Sequence, residues 1–254
     1  MSTDVTLQAI VLRRQDIGEH DAWVVLLSRE RGKLSAMARG VKRPRSKLAA
    51  LTQRFTLARF HLIEGRKVAI LDQGTLEESF YALREDLWRM AYATYLCELV
   101  DRAVTGEEAP PAVFDLLAAT LHQLLQAEDA TALVHSFELR LLALLGYEPV
   151  LGGCVRCQGP VGGSGAFFSA AQGGLLCPQC QACDRQAVRL SPLSVRYLRR
   201  LLRPRETDLT RARLAEPSAR EIEAALRAHI RYHLETEPRS AAFLRRLRAQ
   251  EHLA

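Results

Sequence analysis

The stretch TLQAIVLRR, residues 6–14, opens a series of segments rich in Val, Leu and Ile that are typical of β-strands. AWVVLLS follows at residues 22–28, and residues 33–38, 55–63 and 68–76 continue the pattern. Five short strands in about 80 residues suit a small closed barrel. The oligonucleotide-binding OB fold is the leading candidate, and an SH3-like barrel is the alternative that periodicity does not separate from it.

Helical spacing replaces this pattern further along the chain. Apolar residues repeat with helical period in residues 80–104, after Pro110-Pro111, and from Leu133 to Leu145, where Gly146 is placed to end the helix. Residues 192–202, 221–234 and 240–248 also indicate helices. We therefore predict an α+β protein with an OB-fold barrel (1–80), a central helical bundle (81–150), a zinc-binding module (151–188) and C-terminal helices that pack on the helical domain (189–254).

Two Cys-x-x-Cys pairs, Cys154/Cys157 and Cys177/Cys180, define that module. Two residues between thiolates let both sulfurs reach one tetrahedral ion, and the second pair completes the shell when the intervening segment folds back. An all-thiolate shell leaves no position for water, so we predict structural Zn2+. Cys183, three residues past Cys180, could replace one of these ligands or be a bystander, and the bystander interpretation is favoured because four ligands already close the shell.

Charge is unevenly distributed along the chain, whose net charge is +6. Residues 1–80 carry a net +5, residues 81–150 a net −7 and residues 151–254 a net +8. Two basic segments that flank an acidic one indicate a polyanion-binding surface built from both ends of the chain. A solvated surface in an Arg-rich proteome would explain the preference for Arg over Lys, but not this segregation.

The strongest candidate surface is the loop between two predicted strands, RGVKRPRSK at residues 39–47, with Lys33 nearby. A basic face with loops that follow the phosphate backbone is how OB folds hold single strands. The alternative is a flexible, solvated loop. The cations of this candidate polyanion-binding surface are Lys33, Arg39, Lys42, Arg43, Arg45 and Lys47.

A second basic cluster extends from residue 196 to Arg205. Four of its members share one helix face through i, i+3, i+4, i+7 spacing, and contact with a polyanion is weighed there against a solvated face. They are Arg196, Arg199, Arg200 and Arg203.

Catalytic motifs are missing from the sequence. It contains no H-E-x-x-H, no phosphate-binding P-loop, no G-x-S-x-G, and no His-x-Glu ahead of the Pro-Cys-x-x-Cys of a zinc deaminase. We do not interpret the chain as an enzyme. The N-terminus lacks an apolar signal segment and the longest apolar run, residues 22–27, is far short of a membrane span, so we expect a soluble intracellular protein without a membrane partner.

An ordered set of short motifs resembles the bacterial recombination mediator family RecO. The N-terminal motifs are AIVL (9–12), IGEHD (17–21), GKL (32–34) and ARGVKR (38–43). FELRLL (137–142), LGY (145–147), the first Cys-x-x-Cys and YHL (232–234) with Ser240 and FL (243–244) follow in the same order. The resemblance covers essentially the whole chain.

The resemblance implies an N-terminal OB fold, a helical domain, a zinc module and a function in DNA repair and homologous recombination. It implies binding of single- and double-stranded DNA, annealing of complementary strands, and loading of recombinase with RecR onto strands coated by single-strand-binding protein. It also implies a cytoplasmic, nucleoid-associated protein. The acidic C-terminal tail of single-strand-binding protein, which ends in an apolar residue, would dock on Phe137, Arg140, Leu141, Leu145 and Tyr147.

Two other functions stay open from the residues. A zinc-module transcription or translation factor would show a marked preference for one nucleic-acid sequence, which a phosphate-tracking surface does not. A zinc hydrolase would lose activity without unfolding when its metal is removed.

Overall fold

The structure is a computed structural model and describes residues 3–65, 68–106, 109–163, 165–203, 209–235 and 237–251. The chain divides into two compact units. The first contains residues 1–125 and 238–254, and the second contains residues 126–237. The segment predicted as one helical bundle, 81–150, is thus shared between the two units.

A closed five-stranded barrel begins the first unit, with the strand order β1-β2-β3-β5-β4. The strands are β1 (Thr3–Ile17), β2 (Asp21–Ser28), β3 (Gly32–Ala38), β4 (Leu57–Glu64) and β5 (Ala69–Glu78). All pairs are antiparallel except β3 and β5, and a short helix α1 (Leu48–Leu51) lies between β3 and β4. The prediction of a five-stranded, OB-like barrel is confirmed.

The long strand β1 closes the barrel because its two halves pair with different strands. Residues 3–10 pair with β4, and residues 9–17 pair with β2. The register against β2 shifts between Val11 and Arg13, a local irregularity of the kind that bends a strand. Small, branched and aromatic side chains then fill the interior, among them Ala9, Val24 and Phe60, all fully buried.

Helices complete the first unit. They are α2 (Ala82–Glu85), α3 (Leu87–Ala103), α4 (Pro111–Leu124) and α8 (Arg239–Glu251). The single helix predicted over 80–104 is interrupted at Asp86, whose backbone is extended and whose carboxylate accepts a hydrogen bond from Arg89 N at 2.8 Å as an N-cap. The Glu98 carboxylate on α3 accepts hydrogen bonds from the backbone N–H groups of Arg239 and Ser240 at the start of α8, each at 2.9 Å.

The second unit contains three helices and a small sheet. The helices are α5 (Thr131–Leu144), α6 (Pro192–Leu202) and α7 (Glu216–Leu234), and α5 packs against the other two. The sheet has the order β7-β6-β8 and consists of β6 (Ala166–Ser169), β7 (Gly174–Leu176) and β8 (Val188–Leu190). A 3-10 helix, Pro178–Cys183, joins β7 to β8. Sequence periodicity did not predict this sheet.

No helix in the described part of the chain is both long and apolar enough to cross a membrane.

Candidate nucleic-acid interface and metal centre

The basic loop, residues 39–47, is anchored to the barrel by its backbone. Gly40 N donates to the Asp21 carboxylate at 2.8 Å, and Lys42 N donates to His20 O at 3.0 Å. Val41, between them, is fully buried in the barrel core. Gly40 has a φ of 61°, a left-handed conformation that glycine adopts without steric cost. The first half of the loop is therefore held against the barrel, unlike the flexible, solvated loop of the alternative interpretation.

Anchoring leaves the loop cations pointing outward. Arg39, Arg43, Arg45 and Lys47 are exposed, and no ion-pair partner for them is present among the described residues. Lys42 is also exposed but lies 3.5 Å from the carboxylate of Asp16. Four unpaired positive charges on one short, anchored loop form a concentrated anion-binding surface.

Lys33, which was predicted to contact DNA with the loop, is already engaged. Its ammonium hydrogen-bonds the backbone oxygen of Asp101 and lies 3.4 Å from the carboxylate of the same residue on α3. Arg13 pairs with Asp101 as well, at 3.2 Å. The structure thus brings Lys33 to the barrel–α3 contact rather than leaving its charge free.

The four arginines predicted on one face of α6 have different environments. Arg196 and Arg203 are exposed without an ion-pair partner in the described residues, whereas Arg200 has interactions of its own. Arg199 Nε donates to Leu151 O at 2.7 Å, and its Nη2 donates to Val161 O at 3.1 Å and to Gly152 O at 3.4 Å. Arg199 therefore ties the loops around the first cysteine pair to α6. Arg205 lies outside the described residues.

The segment predicted to receive a partner tail is only partly at the surface. Phe137 and Leu141 are fully buried on α5, so they support the segment from within. Arg140 and Leu145 are half-buried and Tyr147 is 38% exposed. Burial lowers the pKa of the Arg140 guanidinium, which indicates a cation partly shielded from water. The groove itself stays a prediction, now limited to the three residues that solvent reaches.

The four predicted metal ligands converge. The sulfur atoms of Cys154, Cys157, Cys177 and Cys180 all lie within 4.8 Å of one another. The Sγ atoms of Cys157 and Cys177 are 3.7 Å apart. A tetrahedral ion with Zn–S bonds of about 2.3 Å separates its sulfurs by about 3.8 Å, so the spacing fits such an ion.

The electrostatics of the thiols fit a cation as well. Burial raises the pKa of the Cys154 thiol, but hydrogen bonds from the backbone of Cys157, Cys177 and Arg156 outweigh it and bring this pKa down to about 6. The pKa of Cys180 rises to about 12, first because its side chain hydrogen-bonds Cys177 and then through burial and the remaining thiols. Four thiolates this close would repel one another, and a divalent cation would remove that conflict. These cysteines could hold a metal.

The other two cysteines stand apart from the cluster. Cys183 is the exposed last residue of the 3-10 helix and is not part of the group of four. Cys97 is buried on α3, where burial raises the pKa of its thiol to about 12.

One feature that sequence patterns did not predict is a pocket of about 480 Å³ in the first unit. Three arginines that lie 30 to 40 residues apart along the chain, Arg14, Arg54 and Arg84, line it together. No local motif links them, so only the exposed Tyr81 beside Arg84, an aromatic next to a cation, offered a signal.

These features define a class of protein: an OB-like barrel with a basic surface loop, followed by helices and a cluster of four cysteines that could hold a metal. The family described as recombination protein O matches through its N-terminal part at residues 1–80 and its C-terminal part at residues 84–242. The chain belongs to this RecO family. Membership supports a role in DNA repair and recombination.

Curated relatives agree over nearly the whole chain. A protein of Symbiobacterium thermophilum is 41% identical over 249 residues, 96% of this chain and 97% of the relative. One of Pelotomaculum thermopropionicum is 40% identical over 94% of this chain and 92% of its own length. One of Bacillus subtilis is 31% identical over 97% and 96% respectively. Each bears the name DNA repair protein RecO.

Proposed function

We propose that this chain is a non-catalytic mediator of recombination that binds single- and double-stranded DNA and anneals complementary strands. With RecR, it helps load recombinase onto strands coated by single-strand-binding protein. The observation that carries the proposal is the basic loop, with Arg39, Arg43, Arg45 and Lys47 exposed and unpaired in the described structure on an OB-like barrel. In a bacterial cell this function places the protein in the cytoplasm with the nucleoid DNA.

Annealing follows from the charge of such a surface. Two single strands repel each other, and a protein that neutralises phosphates on both lowers the barrier to their encounter. Contacts to phosphate leave the base edges free to pair, so no covalent chemistry is required. Because the loop is anchored through Gly40 and Lys42 N–H groups, its guanidinium groups are presented with little loss of backbone freedom on binding.

The ion that we propose for the cysteine cluster is structural zinc. The sulfur spacing and the four-thiol ligand set support it, and four protein ligands leave no open position for substrate. The cysteines Cys154, Cys157, Cys177 and Cys180 would hold the ion, which would fix the turns around β6 and β7.

The partner assignments rest on family membership and on one surface. We assign the tail of single-strand-binding protein to the exposed part of the α5 segment, where Arg140 offers a cation and Leu145 and Tyr147 offer apolar area. An acidic peptide that ends in phenylalanine should bind wild type and lose at least about five-fold in affinity to Arg140→Glu, as judged by calorimetry. Equal affinity would remove this surface from the proposal.

The experiment for DNA binding compares two charge reversals with the same net change. Arg43→Glu/Arg45→Glu alters the loop, and Arg227→Glu/Arg231→Glu alters exposed positions on α7. Binding of a labelled oligothymidylate is measured by anisotropy over a salt series. The loop variant should bind more weakly at every salt concentration, with a log–log salt slope reduced by about 1.4, since each phosphate contact contributes about 0.7 for a single strand. If both variants behave alike, the loop is not the DNA surface.

A further inference from the structure

The arginine pocket, in the first unit, is lined by groups from β1, from the segment after α1, and from α2 and α3. Its volume of about 480 Å³ lies within the range of about 300–1,000 Å³ that is typical of sites for small molecules. The lining residues are Arg14, Asp16, Gln53, Arg54, Phe55, Arg84, Met90 and Thr94.

The walls of the pocket are held in place by two of its arginines. Arg14 Nη1 donates to Thr52 Oγ1 at 3.1 Å, and Arg84 Nη1 donates to Arg54 O at 2.8 Å. The Arg54 side chain is exposed, and its guanidinium has no hydrogen-bond or ion-pair partner among the described residues. Burial lowers the pKa of the Arg84 guanidinium, so a cation is kept at the pocket wall despite partial loss of hydration.

One carboxylate opposes these three cations. Asp16 lies 3.1 Å from Arg14 and 3.5 Å from Lys42, so it bridges the pocket to the basic loop. The lining thus has three positive groups and one negative group, and the negative group is already shared between two cations. An incoming anion would meet an excess of positive charge.

An aromatic side chain outside the lining stands beside one of these cations, Arg84. Tyr81 is 59% exposed, and the guanidinium carbon of Arg84 lies 5.6 Å from the centre of its ring. The pocket also includes Phe55, a buried residue with a φ of 75°, a left-handed conformation that is rare for a bulky side chain. Such strain persists where the surrounding structure imposes it, and it concentrates at ligand sites.

We propose that this pocket holds one nucleotide of single-stranded DNA, with a phosphate between Arg14, Arg54 and Arg84 and a base stacked on Tyr81. The proposal rests on the proposed function, which it extends from the basic loop to a second contact point. Guanidinium groups that converge on one space suit phosphate, and an exposed aromatic beside them supplies the stacking surface that single strands use. The Asp16–Lys42 pair makes the pocket continuous with the loop.

Nucleic acid explains the pocket better than an acidic peptide does. An acidic peptide would use the same cations, and the exposed Leu87 and Met90 nearby offer apolar area. However, Lys42 links the pocket to the basic loop, and Tyr81 lies against Arg84. Both features suit a DNA strand that runs across the surface better than a peptide bound in an isolated cleft. Peptide binding is therefore the competing outcome of the test.

The test measures binding of a labelled oligothymidylate by anisotropy over a salt series, on the full chain. Arg54→Ala should weaken binding several-fold and reduce the salt slope by about 0.7. Tyr81→Ala should weaken binding at least about five-fold, whereas Tyr81→Phe, which keeps the ring, should bind like wild type. Asp16→Asn should strengthen binding, because it removes the competing carboxylate. Arg227→Ala, the same charge change on exposed α7, is the matched control.

The outcomes separate this proposal from the function beneath it. If loop reversal weakens binding but Arg54→Ala and Tyr81→Ala bind like Arg227→Ala, the pocket proposal is overturned and the loop stands. If wild type binds no single strand, both fail. If Arg54→Ala spares the oligonucleotide but abolishes binding of an acidic peptide ending in phenylalanine, the pocket is a peptide site and the nucleotide assignment is wrong.

Discussion

Arg199→Ala separates a structural role from a DNA-binding role on one helix. Its guanidinium donates to Leu151 O at 2.7 Å and to Val161 O at 3.1 Å, and more weakly to Gly152 O at 3.4 Å. If each of the two shorter bonds contributes about 1–1.5 kcal/mol net, the substitution costs roughly 2–3 kcal/mol. At about 4 °C per kcal/mol for a unit of this size, the melting temperature of the second unit should fall by roughly 10 °C.

The control lies three residues earlier on the same helix. Arg196→Ala removes the same charge from an exposed position without a described ion-pair partner, so its stability should stay within about 0.5 kcal/mol of wild type. Calorimetry of the metal-loaded protein, with metal release to a chromogenic chelator as the local readout, compares the two. Arg199→Ala should melt earlier and release metal faster. If the two variants have the same melting temperature, or if only Arg199→Ala weakens DNA binding, Arg199 does not have the proposed structural role of tying the loops around the first cysteine pair to α6.

Three further perturbations test the second unit. Chelation of the metal, or Cys154→Ser, should lower the melting temperature while DNA binding by the barrel survives, a separation that calorimetry and anisotropy together measure. Burial lowers the pKa of His229 to about 4, so the unfolded state binds the proton more readily between pH 6.5 and 4. The stability contributed by neutral His229 is therefore complete above about pH 6.5 and is lost as pH falls toward 4, by at most about 3 kcal/mol. His229→Gln should reduce this pH dependence of the free energy of unfolding, as measured by chemical denaturation. An unchanged pH profile would refute the assignment to His229. A Cβ at Gly174 would lie 2.4 Å from Val150 O, so Gly174→Ala should destabilise the fold in thermal melts, whereas Gly152→Ala, with open space around it, should not; equal melts would contradict the close approach.

Local sequence patterns predicted the elements whose sequence signals are themselves local. The strands of the barrel follow from alternation and β-branched content, and the four-cysteine cluster follows from two Cys-x-x-Cys pairs, because each of these signals lies within a few neighbouring residues. The short strands β6, β7 and β8 were missed, since segments of three or four residues carry almost no periodicity. The interruption at Asp86 was missed because apolar spacing continues across it.

The roles of individual cations depended on contacts distant in sequence. Lys33 and Arg199 were assigned to DNA by residue type and helix face, yet Asp101 and Leu151, their partners, lie 68 and 48 residues away. Arg54 and Arg84 attracted no assignment, because nothing local shows that they line one pocket. A positive side chain becomes available to a ligand only when the fold leaves it unpaired, and single-chain patterns do not encode that balance.

The most direct test of the central claim is annealing of complementary strands coated with cognate single-strand-binding protein, in the absence of ATP. One strand carries a fluorophore and its complement carries a quencher, so the decrease in fluorescence reports duplex formation. Wild type should accelerate duplex formation, Arg227→Glu/Arg231→Glu should retain most of that rate, and Arg43→Glu/Arg45→Glu should lose most of it. No acceleration by wild type, or full acceleration by the loop variant, would contradict the account.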